Sequence, residues 1–186
     1  MSKLSRCWWA GDDLLYQEYH DKEWGKPVHN DVEWFEFLIL ETFQAGLSWI
    51  TILRKRKHFF DAFDQFDYKK IALYGESKEA ELLQNAGIIR NKLKVKSAIN
   101  NAQAFIRIQK EFGSFNDYIW GFVSDKPIIN HFKDKSEVPA NTPLSDKISK
   151  DLKKRGFKFV GSTVVYALMQ SCGLVNDHLV GCEFRN

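Results

Sequence analysis

The sequence LLQNAGIIRNKLKVKSAI, residues 82–99, decides the fold expected for this chain. It predicts a helix that ends at Ala86, a tight turn over residues 87–90, and a second helix that starts near Asn91. Such a glycine turn exposes backbone N–H groups and the positive end of the second helix, which together attract anions. The stretch therefore predicts a helical hairpin with an anion site at its turn.

Basic side chains crowd around this turn, and they are Arg90, Lys92, Lys94 and Lys96. Helix-hairpin-helix units hold the DNA backbone in this way without reading bases. An ordinary helix pair with a solvated basic face is the alternative interpretation. A second basic run flanks Gly156 and consists of Lys153, Lys154, Arg155 and Lys158. Two basic turns favour a DNA duplex as the partner.

Helical patterns recur along the rest of the chain, and glycines close several of them. Capping residues open two of these segments, NDVEWFEFLILETF at Asn30 and SFNDYIW at Ser114. No segment alternates convincingly with a period of two residues. We predict an all-α protein of eight to ten helices, with one domain over residues 1–186. Its two helical lobes are expected to share a pocket, and the hairpin lies near residues 82–96.

One long connection interrupts the helical pattern, between residues 127 and 143, and it holds three of the four prolines. Connections of this length are often lids or binding loops when they are not simple linkers. A linker is the preferred interpretation here, with a lid or a DNA-contacting loop as alternatives.

Composition limits the class of protein without deciding its function. The 186 residues carry a net charge of +3, which permits a nucleic-acid partner but is too common to imply one. Fifteen Phe, six Trp and six Tyr suffice to fill a core and to line a pocket for a flat ligand. Three cysteines are an odd number, and no apolar run has signal-peptide or membrane-spanning length. A soluble protein of the reducing cytoplasm is expected.

A carboxylate opens the apolar stretch ETFQAGLSWITIL, residues 41–53. Helical spacing places Glu41 and Trp49 on one face, although Gly46 is able to end one helix and Ser48 to cap the next. Taken alone, the pattern fits a glutamate that faces water, because Glu is seldom buried without a partner. The alternative is a buried carboxylate that serves a binding site.

Two Cys/His pairs lie near opposite ends of the chain. Cys7 precedes His20 by thirteen residues, and His178 and Cys182 are four residues apart, so that they share one helical turn. Two thiolates and two imidazoles form a tetrahedral zinc set, and four protein ligands make such a zinc structural. Pairs this simple also arise by chance, so packed Cys and His side chains without a metal are the alternative. A metal here would tie down two termini that otherwise fray. Cys172 has no such partner and is expected to be a buried thiol.

Several long stretches together resemble the 3-methyladenine DNA glycosylase I family, and they cover nearly the whole chain in the expected order. They are CWW at Cys7, YQEYHDKEWG at Tyr16, LETFQAGLSWITIL at Leu40, NAGIIRNKLKVKSAINNA at Asn85, KKRGFKFVGSTVVYALMQSCGLVNDH at Lys153, and Cys182. Their length and particularity exclude a chance match. Two departures are small: Trp8 stands where relatives often carry a smaller residue, and only EFRN follows Cys182.

The resemblance implies an all-α helix-hairpin-helix glycosylase fold and a monofunctional enzyme of base-excision repair. Such an enzyme flips N3-methyladenine out of double-stranded DNA and hydrolyses its N-glycosidic bond without cutting the strand, and free 3-methyladenine is the product. The enzyme is expected to be a cytoplasmic monomer with no membrane partner.

The resemblance also implies roles for particular residues. Glu41 is the catalytic residue, and the substrate-binding residues are Tyr16, Tyr19, Trp49, Trp9 and Trp24. Contacts to the DNA backbone are expected from the hairpin pattern itself, at Gly87, Arg90, Lys92, Lys94 and Lys96. One structural zinc joins the chain ends through Cys7, His20, His178 and Cys182.

The chemistry of the implied substrate explains a carboxylate at position 41. Methylation at N3 makes adenine cationic, so an ionised Glu41 attracts the damaged base and accepts from its exocyclic amine. The positive charge also weakens the N-glycosidic bond, because the base departs neutral. Other members of the superfamily use an aspartate beyond the hairpin to assist the water. The nearest downstream acid, Asp117, is expected to be a cap or surface residue, and no lysine is placed for a Schiff base.

Two other classes of protein fit less of the sequence. A zinc deaminase needs an open metal position and a P-C-x-x-C pattern, and the chain has neither. A helical DNA-binding protein without catalysis accounts for the hairpin and the Cys/His pairs but leaves Glu41 among aromatic residues unexplained.

Overall fold

The structure, a computed structural model, describes residues 5–185, so the first four residues and the last residue of the predicted domain lie outside it. Nine α-helices lie in this range, as the sequence predicts. They are α1 (Leu14–Lys22), α2 (Asp31–Gln44), α3 (Trp49–Ala62), α4 (Tyr68–Ile71), α5 (Glu76–Gln84), α6 (Lys92–Phe112), α7 (Phe115–Trp120), α8 (Pro143–Lys154) and α9 (Ser162–Ser171). Short 3₁₀ turns cover Trp8–Ala10, Asp64–Phe66, Gly121–Val123 and Lys135–Glu137.

The prediction of an all-α protein needs one correction, because two short strands pair in parallel. β1 (Ile128–Ile129) lies beside β2 (Val175–Asn176), with Ile128 opposite Val175. Hydrogen bonds from Ile128 N to Leu174 O and from Asn130 N to Asn176 O complete the ladder. The pairing fastens the connection after α7 to the segment that follows α9. Two residues per strand are too few to give a detectable sequence pattern.

Helix α2 lies at the centre of the fold and packs against α3, α6, α7 and α9. Its residues Trp34, Phe35 and 37–43 are all buried. A helix that is apolar almost all round has no face left for solvent, so it is driven into the core. This burial carries Glu41 inside with its apolar neighbours.

The link between α2 and α3 has its helix boundaries near the two residues named from the sequence, Gly46 and Ser48. Helix α2 ends at Gln44, Gly46 adopts a φ of 81°, and Ser48 is the residue before α3 begins at Trp49. A left-handed φ is readily adopted only by glycine, so Gly46 permits the sharp reversal. The turn holds the end of α2 and the start of α3 close together.

No helix within residues 5–185 combines the length and apolarity needed to cross a bilayer.

Candidate active site

Glu41 lies in the last turn of α2, and its side chain is only 2% exposed. The interpretation of a water-facing glutamate is therefore wrong. The buried carboxylate faces a cavity of about 340 Å³, a size that falls in the range of small-molecule sites. An ionisable, buried carboxyl group at the wall of an open, largely apolar cavity marks this cavity as the candidate active site.

The structure brings together every residue that was predicted for the base pocket. The cavity is lined by Glu41, Tyr16, Tyr19, Trp49, Trp9 and Trp24. Trp9 lies at the centre of the aromatic wall. Its ring centroid is 5.0 Å from that of Tyr16 and 4.9 Å from that of Trp24. Tyr19 and Trp49 lie 5.4 Å apart. Tilted and edge-on contacts of this kind stabilise the packing of aromatic rings, so the wall offers packed ring faces and edges to a flat ligand.

Further residues, for which the sequence predicts no role in the pocket, also line it. They are Trp8, Gln44, residues 138–140, Ala167, Gln170 and Ser171. The spacing of these residues in α9 is a signal in the sequence, because Gln170 and Ser171 follow Ala167 by three and four residues and so place polar groups beside it. Residues 138–140 carry no such signal. Their place in the cavity wall shows that the connection over residues 127–143 is more than a linker.

The environment of Glu41 disfavours its charged form. Burial raises the pKa of this carboxyl group from 4.5 to about 8, and a hydrogen bond from Ser171 works in the opposite direction. Ser171 Oγ donates to Glu41 Oε1 over 2.7 Å, and the Tyr19 hydroxyl donates to Ser171 Oγ over 3.0 Å. No Lys or Arg of the described residues lines the cavity. A cation that entered the cavity would therefore meet a carboxyl group without a positive partner.

The two Cys/His pairs converge into one buried cluster beside the pocket, and its members are Cys7, His20, His178 and Cys182. Their ligand atoms all lie within 4.8 Å of one another. Cys7 Sγ lies 3.6 Å from His178 Nδ1, and Cys182 Sγ lies 3.4 Å from the same nitrogen and 3.6 Å from His20 Nε2. These separations match the edges of a tetrahedron around a single metal ion. The donor set therefore fits a metal.

The outer ring nitrogens of both histidines have partners that fix the rings. His20 Nδ1 is 2.8 Å from Asp21 Oδ1, and Arg6 holds the same carboxylate from the other side over 2.7 Å. His178 Nε2 lies 3.0 Å from the carbonyl oxygen of Trp24, to which it donates. Burial lowers the pKa of His178 to about 4, so its ring is neutral. Such outer partners are typical of metal-binding histidines, because they set the tautomer that leaves the inner nitrogen free.

The predicted hairpin is formed by α5, the turn after it, and α6. Helix α5 ends at Gln84, two residues before the predicted end, and Asn85 then accepts a hydrogen bond from Gly87 N over 2.8 Å. A Cβ atom on Gly87 would come within 2.9 Å of the His58 side chain on α3. Gly87 is therefore needed for the close approach of the turn to α3. Helix α6 begins at Lys92 with Asn91 as its cap, as predicted.

The four hairpin cations do not share one environment. Arg90, Lys92 and Lys96 are exposed, and Lys96 lies 3.9 Å from Glu79. Lys94, in contrast, is 6% exposed, and burial lowers its pKa. Its Nζ donates to the carbonyl oxygens of Phe43 and Ala45 at the end of α2. The prediction that Lys94 contacts DNA is corrected on this ground, because its ammonium group is already bound inside the protein.

Other candidate residues of the sequence occupy ordinary positions. Asp117 is exposed in the first turn of α7, where its backbone N–H is capped by Ser114, and it does not line the base cavity. Cys172 is a buried free thiol. In the second basic run, Arg155 forms ion pairs with Glu111 and Asp151. The three lysines of this run are exposed. None of these residues joins the candidate active site.

Comparisons with known proteins agree on one family. The family model for Methyladenine glycosylase matches residues 9–186. DNA-3-methyladenine glycosylase 1 of Escherichia coli K12 is 48% identical over 179 residues, which are 96% of both chains. DNA-3-methyladenine glycosylase of Haemophilus influenzae is 48% identical over 97% of this chain and 98% of its own.

Solved structures show the same relationship in three dimensions. A crystal structure of a 3-methyladenine DNA glycosylase I superposes with a TM-score of 0.94 at 47% identity, and covers 96% of this chain and 98% of its own. The Staphylococcus aureus 3-methyladenine DNA glycosylase I, whose structure addresses recognition of 3-methyladenine, gives a TM-score of 0.95 at 32% identity. It covers 97% of this chain and 96% of its own. From the family model that matches residues 9–186, the 48% identity to two named relatives and the shared fold, the chain belongs to the methyladenine glycosylase family.

Proposed function

We propose that this protein excises 3-methyladenine from alkylated double-stranded DNA and releases it as the free base. The observation that carries the proposal is the carboxyl group of Glu41, which is buried at the wall of the cavity. The five aromatic residues predicted to bind the substrate line the same cavity. The chain's membership of the methyladenine glycosylase family and its 48% identity to two named DNA-3-methyladenine glycosylases support it.

The pocket suits a cationic purine better than a neutral one. The positive charge of a 3-methyladenine nucleotide in DNA compensates the cost of ionising Glu41 in the cavity, and normal adenine offers no such compensation. Aromatic faces around a desolvated cation add about 1 to 2 kcal/mol each. Glu41 would accept from the exocyclic amine and so fix the orientation of the base.

Leaving-group activation comes largely from the substrate itself. The methylated base departs as a neutral molecule, so the protein does not need to protonate it. Flipping the nucleotide and holding the base in the pocket then supply much of the catalysis. A Schiff base and strand cleavage are not expected, because no lysine of the described range lines the cavity.

The hairpin is the proposed grip on the DNA backbone. The N–H groups of the turn after Gly87 and the exposed side chains of Arg90, Lys92 and Lys96 offer positive potential to phosphates. The turn is held to the rest of the protein by Lys55, whose Nζ donates to the carbonyl oxygens of Ala86 and Gly87. We assign this unit as a helix-hairpin-helix motif within a single domain whose two helical lobes share the pocket.

We further propose that the buried Cys/His cluster binds one structural zinc ion. Two thiolates, two neutral imidazoles and complete burial favour zinc, and four protein ligands leave no position for a reacting water. When bound, the ion would crosslink the two ends of the chain and would hold Trp24, whose carbonyl oxygen accepts from His178. A cytoplasmic, monomeric enzyme is the corresponding expectation for the whole protein.

An assay of base release decides between this function and its rivals. Methylated duplex DNA is incubated with the protein, and the soluble products are separated by chromatography. We expect free 3-methyladenine as the product and intact strands until the abasic sites are cleaved with alkali. A deaminated base would indicate a deaminase, and tight DNA binding with no released base would indicate a non-catalytic DNA-binding protein.

A further inference from the structure

Ser171 occupies a central position in the pocket, between Tyr19 and Glu41. It is the last residue of α9 and is 3% exposed. Its hydroxyl group donates to Glu41 Oε1 over 2.7 Å and accepts from the Tyr19 hydroxyl over 3.0 Å. A serine hydroxyl has one hydrogen, so a bond accepted from Tyr19 directs that hydrogen towards Glu41. The three side chains form a chain of hydrogen bonds with a single direction.

This inference rests on the proposed function and goes beyond it. We infer that Ser171 is a positioning residue, which holds Glu41 through Oε1 and so presents the other carboxylate oxygen to the cationic base. The hydroxyl does this from a rigid support, because Ser171 belongs to α9 and Tyr19 belongs to α1. Rotation of the carboxylate would break a charge-assisted hydrogen bond in a place where water has little access.

The surroundings of Glu41 make the hydrogen bond from Ser171 important for the ionisation of its carboxyl group. The titratable groups that face it are Tyr16 and Tyr19 from α1 and Cys172, the residue directly after α9. Their pKa values are raised by burial and by the glutamate charge. None of them carries positive charge. Ser171 is the neighbour whose hydrogen bond favours the ionised form of Glu41, against a burial that raises the pKa of this group to about 8.

The pH dependence of excision reports this role. At low substrate concentration, kcat/KM for a cationic base rises with pH as Glu41 of the free protein ionises. Without the Ser171 hydroxyl, the midpoint of this rise should move up by about one pH unit, which is about a tenfold loss of kcat/KM at pH 7. Above both midpoints the two proteins should differ much less. A general loss of structure would instead lower the rate at every pH.

The experiment compares Ser171→Ala, Ser171→Thr and the matched control Ser149→Ala. Ser149 is also a buried serine of a helix, but its hydroxyl donates to the carbonyl oxygen of Val160, outside the pocket. Single-turnover kcat/KM on methylated DNA is measured from pH 6 to 9.5, with the melting temperature of each variant. We expect the midpoint to shift in Ser171→Ala only, with the threonine hydroxyl restoring the wild-type midpoint and Ser149→Ala leaving it unchanged.

Two outcomes would overturn the inference. One is a Ser171→Ala variant with the wild-type midpoint, and the other is a loss of the same factor at every pH. If the threonine variant does not fold, the profile of the alanine variant alone decides. A failure of the proposed function would be seen in a different measurement, because the wild-type protein itself would then release no base.

Discussion

Lys94 Nζ donates a hydrogen bond of 2.7 Å to the carbonyl oxygen of Ala45, directly after the helix that carries Glu41. A second bond of 2.8 Å runs to the carbonyl oxygen of Phe43. The last carbonyl groups of a helix lack partners within it, and a cation placed there satisfies them and complements the helix dipole. The second helix of the hairpin is thereby fixed to the wall of the candidate active site.

Replacement of Lys94 by Met should destabilise the protein by about 2 to 4 kcal/mol, because one buried and one partly buried carbonyl group lose a charged partner. Urea denaturation gives this difference directly. Lys92→Met on the exposed face is the matched control and should change stability by no more than about 0.5 kcal/mol. Equal stability of the two variants would mean that water replaces the ammonium group without cost.

Replacement of Arg90 or Lys92 by Ala should weaken DNA binding about equally for all sequences. Each substitution that removes a phosphate contact should reduce the slope of log K against log salt by about 1. Fluorescence anisotropy with an undamaged duplex at several salt concentrations measures this slope. Lys57→Ala is the control, because it removes an exposed lysine of α3 that pairs with Asp61. A slope that stays unchanged in both hairpin variants would place the DNA on another surface.

The environment of Lys94 could not be predicted from the sequence. The spacing of hydrophobic residues in α6 and the glycine turn before it predict a basic hairpin, and both depend on neighbours along the chain. Whether one lysine of the four faces solvent or the end of α2 depends on how two distant helices pack. Likewise, the aromatic pocket follows from the resemblance. Val138 and Ala140 have side chains too ordinary to indicate that their loop folds over it.

Glu41→Gln should lower base binding and excision together by about 30 to 150-fold, which corresponds to about 2 to 3 kcal/mol. The substitution keeps the shape but removes the charge, and it turns one acceptor into a donor that faces the amine of the base. Affinity for free 3-methyladenine and single-turnover excision are the two measurements. Excision that falls much further than affinity would assign Glu41 a role at the water or the sugar. Values within twofold of wild type would contradict any role in the pocket.

The same substitution should make the folded protein more stable in alkaline solution. Burial raises the pKa of Glu41 from 4.5 to about 8, so between these values the folded protein holds a proton that the unfolded chain has lost. The free energy of unfolding therefore falls as pH rises through this window. Glu41→Gln escapes this loss, and its advantage over wild type should grow from pH 5 to pH 8 by up to about 4 kcal/mol.

Urea denaturation of both proteins at pH 5, 6.5 and 8 measures this trend. Glu18→Gln is the control, since Glu18 is exposed and pairs with Lys22 on the surface of α1. An advantage of Glu41→Gln that is the same at all three pH values would show that the carboxyl group titrates normally.

His178→Ala should release the bound metal and lower the melting temperature, because the proposed zinc contributes to folding. Metal content by atomic absorption and thermal denaturation are measured on the same samples. Cys172→Ser is the control, because this buried thiol lies outside the cluster and its loss should leave the metal content unchanged. A metal-free variant with the wild-type melting temperature and no turnover would point to a catalytic metal instead.

Cys7 and Cys182 lie close together although almost the entire chain separates them. With a metal in place, tension applied to the two termini passes through four ligand bonds and leaves the helices between them unloaded. In an optical trap, the molecule should therefore resist extension until those bonds rupture. The helices between the two cysteines should unfold and extend only after that rupture. Chelation would transfer the load to the helices themselves, which should yield at much lower force.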